Sequence, residues 1–331
     1  MPRRPTADDV ARAANVSRAT VSYVLNDKPD HRIPARTVER VIAAARLLGY
    51  KPSVAARALK LGRSDVVLGL LPDWPIGYTV GSLLEALSTE FESFGLTFVA
   101  HPGTRSHEGW SPGLWRGVAP AGVVSFQPLR QAEREALAAE GIAIEVLFAG
   151  DDPDTDVYAG PFAETGRIQV EHVAAAGHRR LGVAYLDDHR IRAFADARLA
   201  GARSACQDLG LALPVVIRLP IDAARAAEAV ASWRSKKPPV TAVCAYNDDL
   251  ALAILAALDQ LGLRAPQDLA VIGVEDIPAA AFAHPPLTSV ASDRQQQARI
   301  VATRLLAKIH GLPPPPAPPS VRPRVIVRAS A

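Results

Sequence analysis

From Val66 onward, short runs of nearly unbroken apolar residues alternate with longer Ala-rich stretches. Eight such runs stand at 66–71, 96–100, 122–126, 142–148, 181–185, 215–219, 242–246 and 269–274, and a last short one at 325–327. A strand that is apolar at successive positions, and not only at alternate ones, has both faces covered. Strands of this kind separated by helices imply parallel sheets with helices wound on both sides. Residues 66–274 carry more of the pattern than one doubly wound sheet takes up, so two sheets are expected. Residues 311–323 contain seven prolines and read as a stiff surface connection.

The first 62 residues lack this pattern and read as three short helices. Thr6 with Asp9 three residues later is a capping-box-like start, followed by Val10, Ala11 and Ala14 at helical spacing. Asn15-Val16-Ser17 makes a tight turn, with Ser17 as N-cap of a second helix over 18–25. That helix is expected to bury Val21, Val24 and Leu25 and to leave Arg18, Ala19, Ser22 and Tyr23 facing outward. Val38, Val41, Ile42, Ala45 and Leu48 form the stripe of a third helix, which Gly49 closes.

Charge separates the same two regions. The net charge is +3, but residues 1–62 hold 12 Lys/Arg against 5 Asp/Glu, a net +7, and the remainder is net −4. A basic helical unit on an acidic body points to a polyanion partner. Several classes fall away. No apolar stretch is long enough to span a bilayer, and the start has paired arginines without a following apolar run, so neither a membrane anchor nor a secretory signal is expected. Cys206 and Cys244 stand in no metal spacing and are expected as buried thiols of a cytoplasmic protein.

Two helices joined by a three-residue turn, the second short and basic at its start, form a helix-turn-helix. Such a second helix fits the major groove. Arg18 can donate two hydrogen bonds to a guanine edge, and Ala19 and the Thr20 methyl can touch a thymine methyl. On pattern alone, a small helical bundle with a solvated charged face remains the alternative.

Residues Thr6–Asn26, continued by Thr37–Leu59, closely resemble the opening of lactose-repressor (LacI/GalR) family transcription regulators. The resemblance implies roles residue by residue. Arg18 and Ala19 match base-reading positions, and Thr6, Ser17, Thr20, Ser22 and Asn26 match positions that bind phosphates or brace the motif. Residues 53–62 match a hinge helix, in which Ser53 opens the segment, Ala56 lies in the minor groove and Leu59 wedges between base pairs beside its dimer mate. A helix so short is unstable alone, which suits a segment that orders on DNA. Departures are Tyr23, where the family usually has Arg, a longer loop at 27–33, and Pro34 in place of a capping Ser.

The body is similar to the family's effector domain, itself related to periplasmic sugar-binding proteins. The match runs over Gly166–Gly182, Ala197–Gly201 and Asn247–Pro286, and is weak over 72–160. The implied architecture is a helix-turn-helix domain (1–52), a hinge helix (53–62) and an effector-binding and dimerisation domain (63–331). Its N-subdomain would comprise 64–160 with 292–321, and its C-subdomain 162–290 with 322–331. Ligands of open α/β sheets bind beyond the carboxyl ends of strands, where Asn247 and Glu275 fall. By resemblance Arg198, Asn247 and Glu275 match effector-binding positions; the plain alternatives are a salt bridge, a helix cap and a turn residue. Glu275 stands where relatives usually carry Asp, Arg294 where many have an aromatic or apolar residue, and Gly160-Pro161 where an Asp-Asn pair is usual. Trp74 and Tyr78 are candidates to stack on a ligand, or else core residues.

An enzyme or ligand-binding protein of the same fold, with the helical start as an accessory, is the rival reading. No GxGxxG follows the first strand, and GxxxxGK[ST], HExxH and GxSxG are absent. Asp151–Asp156 resembles a calcium loop only in part, since Val157 and Ala163 occupy the Gly and Glu positions counted from Asp152. His101, His107 and Glu108 are interrupted by Pro102 and Gly103, which suggests a turn and no metal. The expected protein is thus a cytoplasmic repressor, not an enzyme and without a cofactor or metal. Its partners would be operator DNA, a small-molecule effector of sugar or related metabolite class, and a second copy of itself. The chain ends without a heptad repeat, so no coiled-coil tetramer is expected.

Overall fold

The computed structural model describes residues 5–25, 33–50, 62–102, 110–147, 162–313, 315–316 and 322–331. The chain divides into two compact units, Met1–Asp65 with Val118–Pro120, and Val66–Gly117 with Ala121–Ala331.

The small unit carries α1 (Ala7–Ala14), α2 (Arg18–Leu25) and α3 (Ala35–Leu47). Thr6 and Asp9 form a reciprocal capping box: the Asp9 N–H donates to Thr6 Oγ1 at 3.4 Å, and the Thr6 N–H to Asp9 Oδ2 at 2.9 Å. Asn15 ends α1 in the left-handed region at φ 48°, a conformation that Asn tolerates better than most residues. Ser17 Oγ then accepts the Thr20 N–H at 3.0 Å and starts α2. Gly49, at φ +62°, lets the Tyr50 N–H return to the Ala45 carbonyl at 2.8 Å, closing α3. Pro34 offers α3 no side-chain cap; its carbonyl accepts from the Thr37 N–H at 2.7 Å. Val10, Ala14, Val21, Val41 and Ala45 bury together as the core.

The large unit holds two sheets. The first contains β1 (Val66–Leu71), β2 (Thr97–Pro102), β3 (Gly122–Ser125) and β4 (Ala143–Val146), all parallel in the order β2-β1-β3-β4. The second has six strands: β5 (Leu181–Leu186), β6 (Val215–Leu219), β7 (Ala242–Ala245), β8 (Ala270–Val274), β9 (Thr288–Ala291) and β10 (Arg324–Ile326). Their order is β10-β9-β8-β7-β5-β6, and only β10 runs antiparallel. Every strand read from the sequence is present within a few residues. β9 is the strand that the apolar pattern missed. Its Thr288 and Ser289 are polar yet fully buried, because the Ser330 hydroxyl accepts the Thr288 N–H at 2.9 Å and Asp248 accepts the Ser289 hydroxyl at 2.6 Å.

The described helices of this unit are α4 (Tyr78–Ser93), α5 (Pro112–Val118), α6 (Gln131–Ala139), α7 (Phe162–Ala175), α8 (Arg192–Asp208), α9 (Ala223–Arg234), α10 (Asp248–Gln260), α11 (Pro278–Phe282) and α12 (Arg294–Ile309). α12 follows the second sheet in sequence but packs on the first, where Ala298, Val301 and Leu305 join Val67, Leu87 and Phe91. Its Arg304 and Lys308 each reach the fully buried Glu145 of β4 at 2.6 Å. α7 and α8 pack at backbone contact. A Cβ on Gly166 would lie 2.0 Å from the Arg198 carbonyl oxygen, and one on Gly201 1.8 Å from that of Ala163. This close crossing sets the height of α8, and with it the place of the Arg198 side chain.

Candidate functional site

In the small unit, Arg18 and Ala19 are exposed at the start of α2, the end that a groove-entering helix presents to bases. The Arg18 guanidinium lies 3.8 Å from Asp8 with both side chains mostly in solvent, a weak tie that leaves the arginine able to reorient. Ser17 is exposed with its hydroxyl 2.9 Å from that of Thr20. Thr6 is half-buried and its hydroxyl donates to Asp9 at 2.6 Å, so it braces the first turn. Ser22 and Tyr23 are half-buried, and so are Val24 and Leu25, which pack against the core beside the fully buried Val21. Arg12, Arg36, Arg40 and Arg46 are exposed on the same unit. Asn26, Ser53, Ala56 and Leu59 lie outside the described residues, as do the loop at 27–32, Asp151–Asp156 and Gly160-Pro161.

In the large unit, the carboxyl ends of strands from both sheets meet around a cleft of about 350 Å³. Trp74 follows β1, Phe126 follows β3, Asp187 follows β5, Pro220 follows β6, Asn247 follows β7 and Glu275 follows β8, and all of them line it. That is where an open α/β sheet places a ligand. Its size and largely apolar walls are those of a small-molecule site.

The Trp74 ring stands edge-on to Phe194 at 4.9 Å between centroids and to Phe126 at 6.4 Å. It is therefore both a core residue and a wall of the cleft. Arg198 lies over the Tyr246 ring at 4.3 Å and over Phe162 at 5.9 Å, and it donates to the Tyr246 carbonyl. Asn247 is buried and caps α10, its Oδ1 accepting the Leu250 N–H at 3.0 Å. Both readings of Asn247 hold at once, since the cap uses the oxygen and leaves the amide N–H₂ as donors. Glu275 takes a left-handed φ of 107° at the end of β8, which turns it towards Thr79 and Arg198. Burial pushes its carboxyl above the usual range, opposed by Arg198, by a hydrogen bond from Thr79 and by Arg294.

Arg294 does not line the main cleft. It lines a smaller inner cavity of about 70 Å³ that shares Thr79, Leu83, Phe162, Arg198 and Glu275 with it. Its Nη2 donates to the Glu275 carbonyl at 2.6 Å and to Thr79 Oγ1 at 3.2 Å. Tyr78 is a correction: it lines neither cavity, and its exposed ring lies under the Arg294 guanidinium at 5.2 Å. It opens α4 after Gly77, and the helix turns its side chain away from the cleft that Gly77 and Thr79 face.

Asp187, Asp188, Arg190, Phe194, Ile221 and Tyr246 were not singled out in the sequence, yet they line the cleft. The strand-end rule that found Asn247 and Glu275 would have found Asp187 after β5 and Ile221 after β6. Arg190 grips Asp188 at 2.6 Å and its hydrogen bonds hold that carboxyl below the usual range. Asp248, next to the cleft, is fully buried; burial pushes its carboxyl up to about 7 although it accepts from Ser289 and from the Ile277 N–H. Burial likewise raises both cysteine thiols. Among the described residues, no group of three or more His, Cys, Asp or Glu is arranged to hold a metal, and no helix is long and apolar enough to cross a membrane.

Residues 6–53 match the model of bacterial regulatory proteins of the lacI family, and residues 170–331 match that of a periplasmic binding protein-like domain. The chain is 29% identical to the HTH-type transcriptional regulator MalR of Streptomyces coelicolor, over 97% of this chain and 95% of the relative. It is 27% identical to the HTH-type transcriptional repressor PurR of Vibrio vulnificus, over 92% of each. In fold it is similar to the Lac repressor dimer bound to operator and the anti-inducer ONPF, with a TM-score of 0.78, 22% identity and 99% of each chain covered. A helix-turn-helix unit followed by a two-sheet body with a cleft at its strand ends, matched by both models in the same order, means that this chain carries a lacI-family helix-turn-helix domain ahead of a periplasmic binding protein-like domain, the arrangement of the regulators it is similar to.

Proposed function

We propose that this protein is a transcriptional repressor that acts in the cytoplasm, binds a roughly palindromic operator as a homodimer, and responds to a small molecule held in the cleft of its body. One observation carries the reading. A single chain combines a capped helix pair that exposes Arg18 and Ala19 with a body whose strand ends enclose a ligand-sized cleft. The regulator names of the relatives, and the operator-bound dimer of the similar Lac repressor, support it. They support equally a binding protein in preference to an enzyme.

In this reading Arg18 and Ala19 contact bases, Thr6, Ser17, Thr20, Ser22, Tyr23 and Asn26 brace the motif or bind phosphates, and residues 53–62, with Ser53, Ala56 and Leu59, form the hinge helix. The effector, a sugar or related metabolite, contacts Trp74, Arg198, Asn247 and Glu275. It shifts operator affinity only as far as it binds the two arrangements of the body with different affinity. A truncated protein starting at Arg63 should fold and give no operator mobility shift, whereas retained specific binding refutes the assignment. For the whole protein, two +7 units on one operator predict that affinity falls steeply with salt. A flat salt dependence contradicts the reading.

A further inference from the structure

The inner cavity is chemically unlike the cleft that it joins. Its lining brings two guanidiniums, Arg198 and Arg294, beside one carboxyl, Glu275, with the Thr79 and Ser292 hydroxyls and the Gln297 amide nearby. A guanidinium has five N–H donors and no acceptor. Arg198 and Arg294 spend part of theirs on the carbonyls of Tyr246 and Glu275 and on the Thr79 hydroxyl. Both Nε–H groups are buried with no acceptor. The Glu275 carboxyl hydrogen-bonds Thr79 and makes no ion pair within 4 Å with either arginine among the described residues. Two guanidiniums whose donors are not all satisfied therefore line a space that one more acceptor group would complete.

The mouth of the cleft has the opposite character. Asp187 and Asp249 line it as exposed carboxylates, and Asp188 is already held by Arg190. A ligand entering between the sheets meets negative charge first and positive charge at the far end. The two residues that build the far end, Arg294 and Glu275, contact each other, the guanidinium donating to the Glu275 carbonyl at 2.6 Å.

We propose that the effector carries a carboxylate, and that the guanidiniums of Arg198 and Arg294 seat it in the inner cavity while its hydroxyls lie along Trp74 towards Asp187 and Asp249. The proposal rests on the cleft being the effector site and names the ligand class: a hydroxylated monocarboxylate of aldonic- or uronic-acid type. The guanidinium fork matches a planar carboxylate, which can accept from two N–H groups at once. A cavity of about 70 Å³ admits that group, and the cleft of about 350 Å³ takes the rest of the molecule. The Tyr246 and Phe162 rings against Arg198 keep water from the pair and strengthen it. The exposed carboxylates Asp187 and Asp249 at the mouth, with Glu275 within, disfavour a dianion such as a sugar phosphate.

The test is titration calorimetry on the full-length protein with gluconate, glucuronate and galacturonate, their parents glucose and galactose, and glucose 6-phosphate. At least one acid should bind at least roughly tenfold tighter than its neutral parent, the worth of one charge-assisted pair. Arg294→Met should remove that advantage, bringing the ratio of acid to parent affinity to within about twofold of one. Arg294→Lys, which keeps the charge and loses the fork, should lie between, and it serves if the Met variant fails to fold. Neutral sugar binding that equals or exceeds acid binding, and that Arg198→Ala abolishes, keeps the effector cleft and overturns the carboxylate. Tighter binding of glucose 6-phosphate than of any acid overturns it as well, and so does no response to any acid. Acid binding indifferent to both Arg294→Met and Arg198→Ala places the ligand elsewhere and overturns the site with the proposal.

Discussion

The helix-turn-helix unit and the effector cleft are built over different distances along the chain. In the small unit, the bonds that define the site join residues three to five apart: Thr6 to Asp9, Ser17 to Thr20, and Tyr50 to Ala45. In the cleft, Arg198 bonds a carbonyl 48 residues away, and Arg294 meets a hydroxyl 215 residues away. The first kind of site is written in local spacing. The second depends on helices and sheets that must already be packed before any two of its residues meet. Damage to packing should therefore reach the cleft and spare the helix-turn-helix.

The strongest way to break that comparison is Gly201→Ala. The new Cβ would stand 1.8 Å from the Ala163 carbonyl oxygen, and backbone cannot yield as a side chain can. The expected loss is about 3 kcal/mol of body stability, the upper end of the usual cost of overpacking, read by chemical denaturation, together with effector binding through the displaced Arg198. A body that keeps its stability would show that the α7–α8 crossing does not position the site.

Arg18→Ala probes the other region. It should weaken operator binding by about 1–3 kcal/mol, the worth of a bidentate base contact, with no change in melting temperature because its partner Asp8 is exposed and 3.8 Å away. Equal losses on operator and on unrelated DNA would assign Arg18 to phosphates.

Asp248 offers a test by pH. Its folded pKa of about 7 lies above the ordinary value of 3.8, so the native state binds the proton more tightly than the unfolded chain. The stability that this group contributes is complete below pH 3.8 and is lost as pH rises through about 7, by at most about 1.4 kcal/mol per pH unit. Asp248→Asn can still accept from the Ile277 N–H and pair with Ser289, and it should flatten that part of the stability profile. An unchanged slope would mean that other groups set it. The smallest effect is expected for Thr6→Ala, which removes one capping interaction worth about 1 kcal/mol from the small unit. It should leave the unfolding of the body unchanged.

Much of this molecule was legible in its sequence. The helix-turn-helix was legible because capping boxes, αL turns and Schellman closures are local chemistry, and nine of the ten strands announced themselves as apolar runs. β9 did not, because its burial rests on Ser330, Asp248 and the chain end, none of them near it in sequence. In the site, the strand-end rule and the family resemblance placed Trp74, Arg198, Asn247 and Glu275 on one cleft. Tyr78 was misplaced because one residue of register on α4 decides which way a side chain turns. In the second turn of α2 burial is partial for Ser22 and Tyr23 as for Val24 and Leu25, which local spacing alone does not resolve.

The sequence by itself determined the element types, the charge division of +7 against −4, and the lacI-family character of its helix-turn-helix. These follow from periodicity, composition and short spacings, which need no knowledge of what packs on what. Tertiary structure alone decided that Arg294 and Glu275 belong to one cavity, that Arg198 lines it with them, and that the mouth of the cleft is lined by Asp187 and Asp249. Electrostatic character in a cleft is a property of distances between side chains, and the fold sets those distances by bringing the ends of two sheets together.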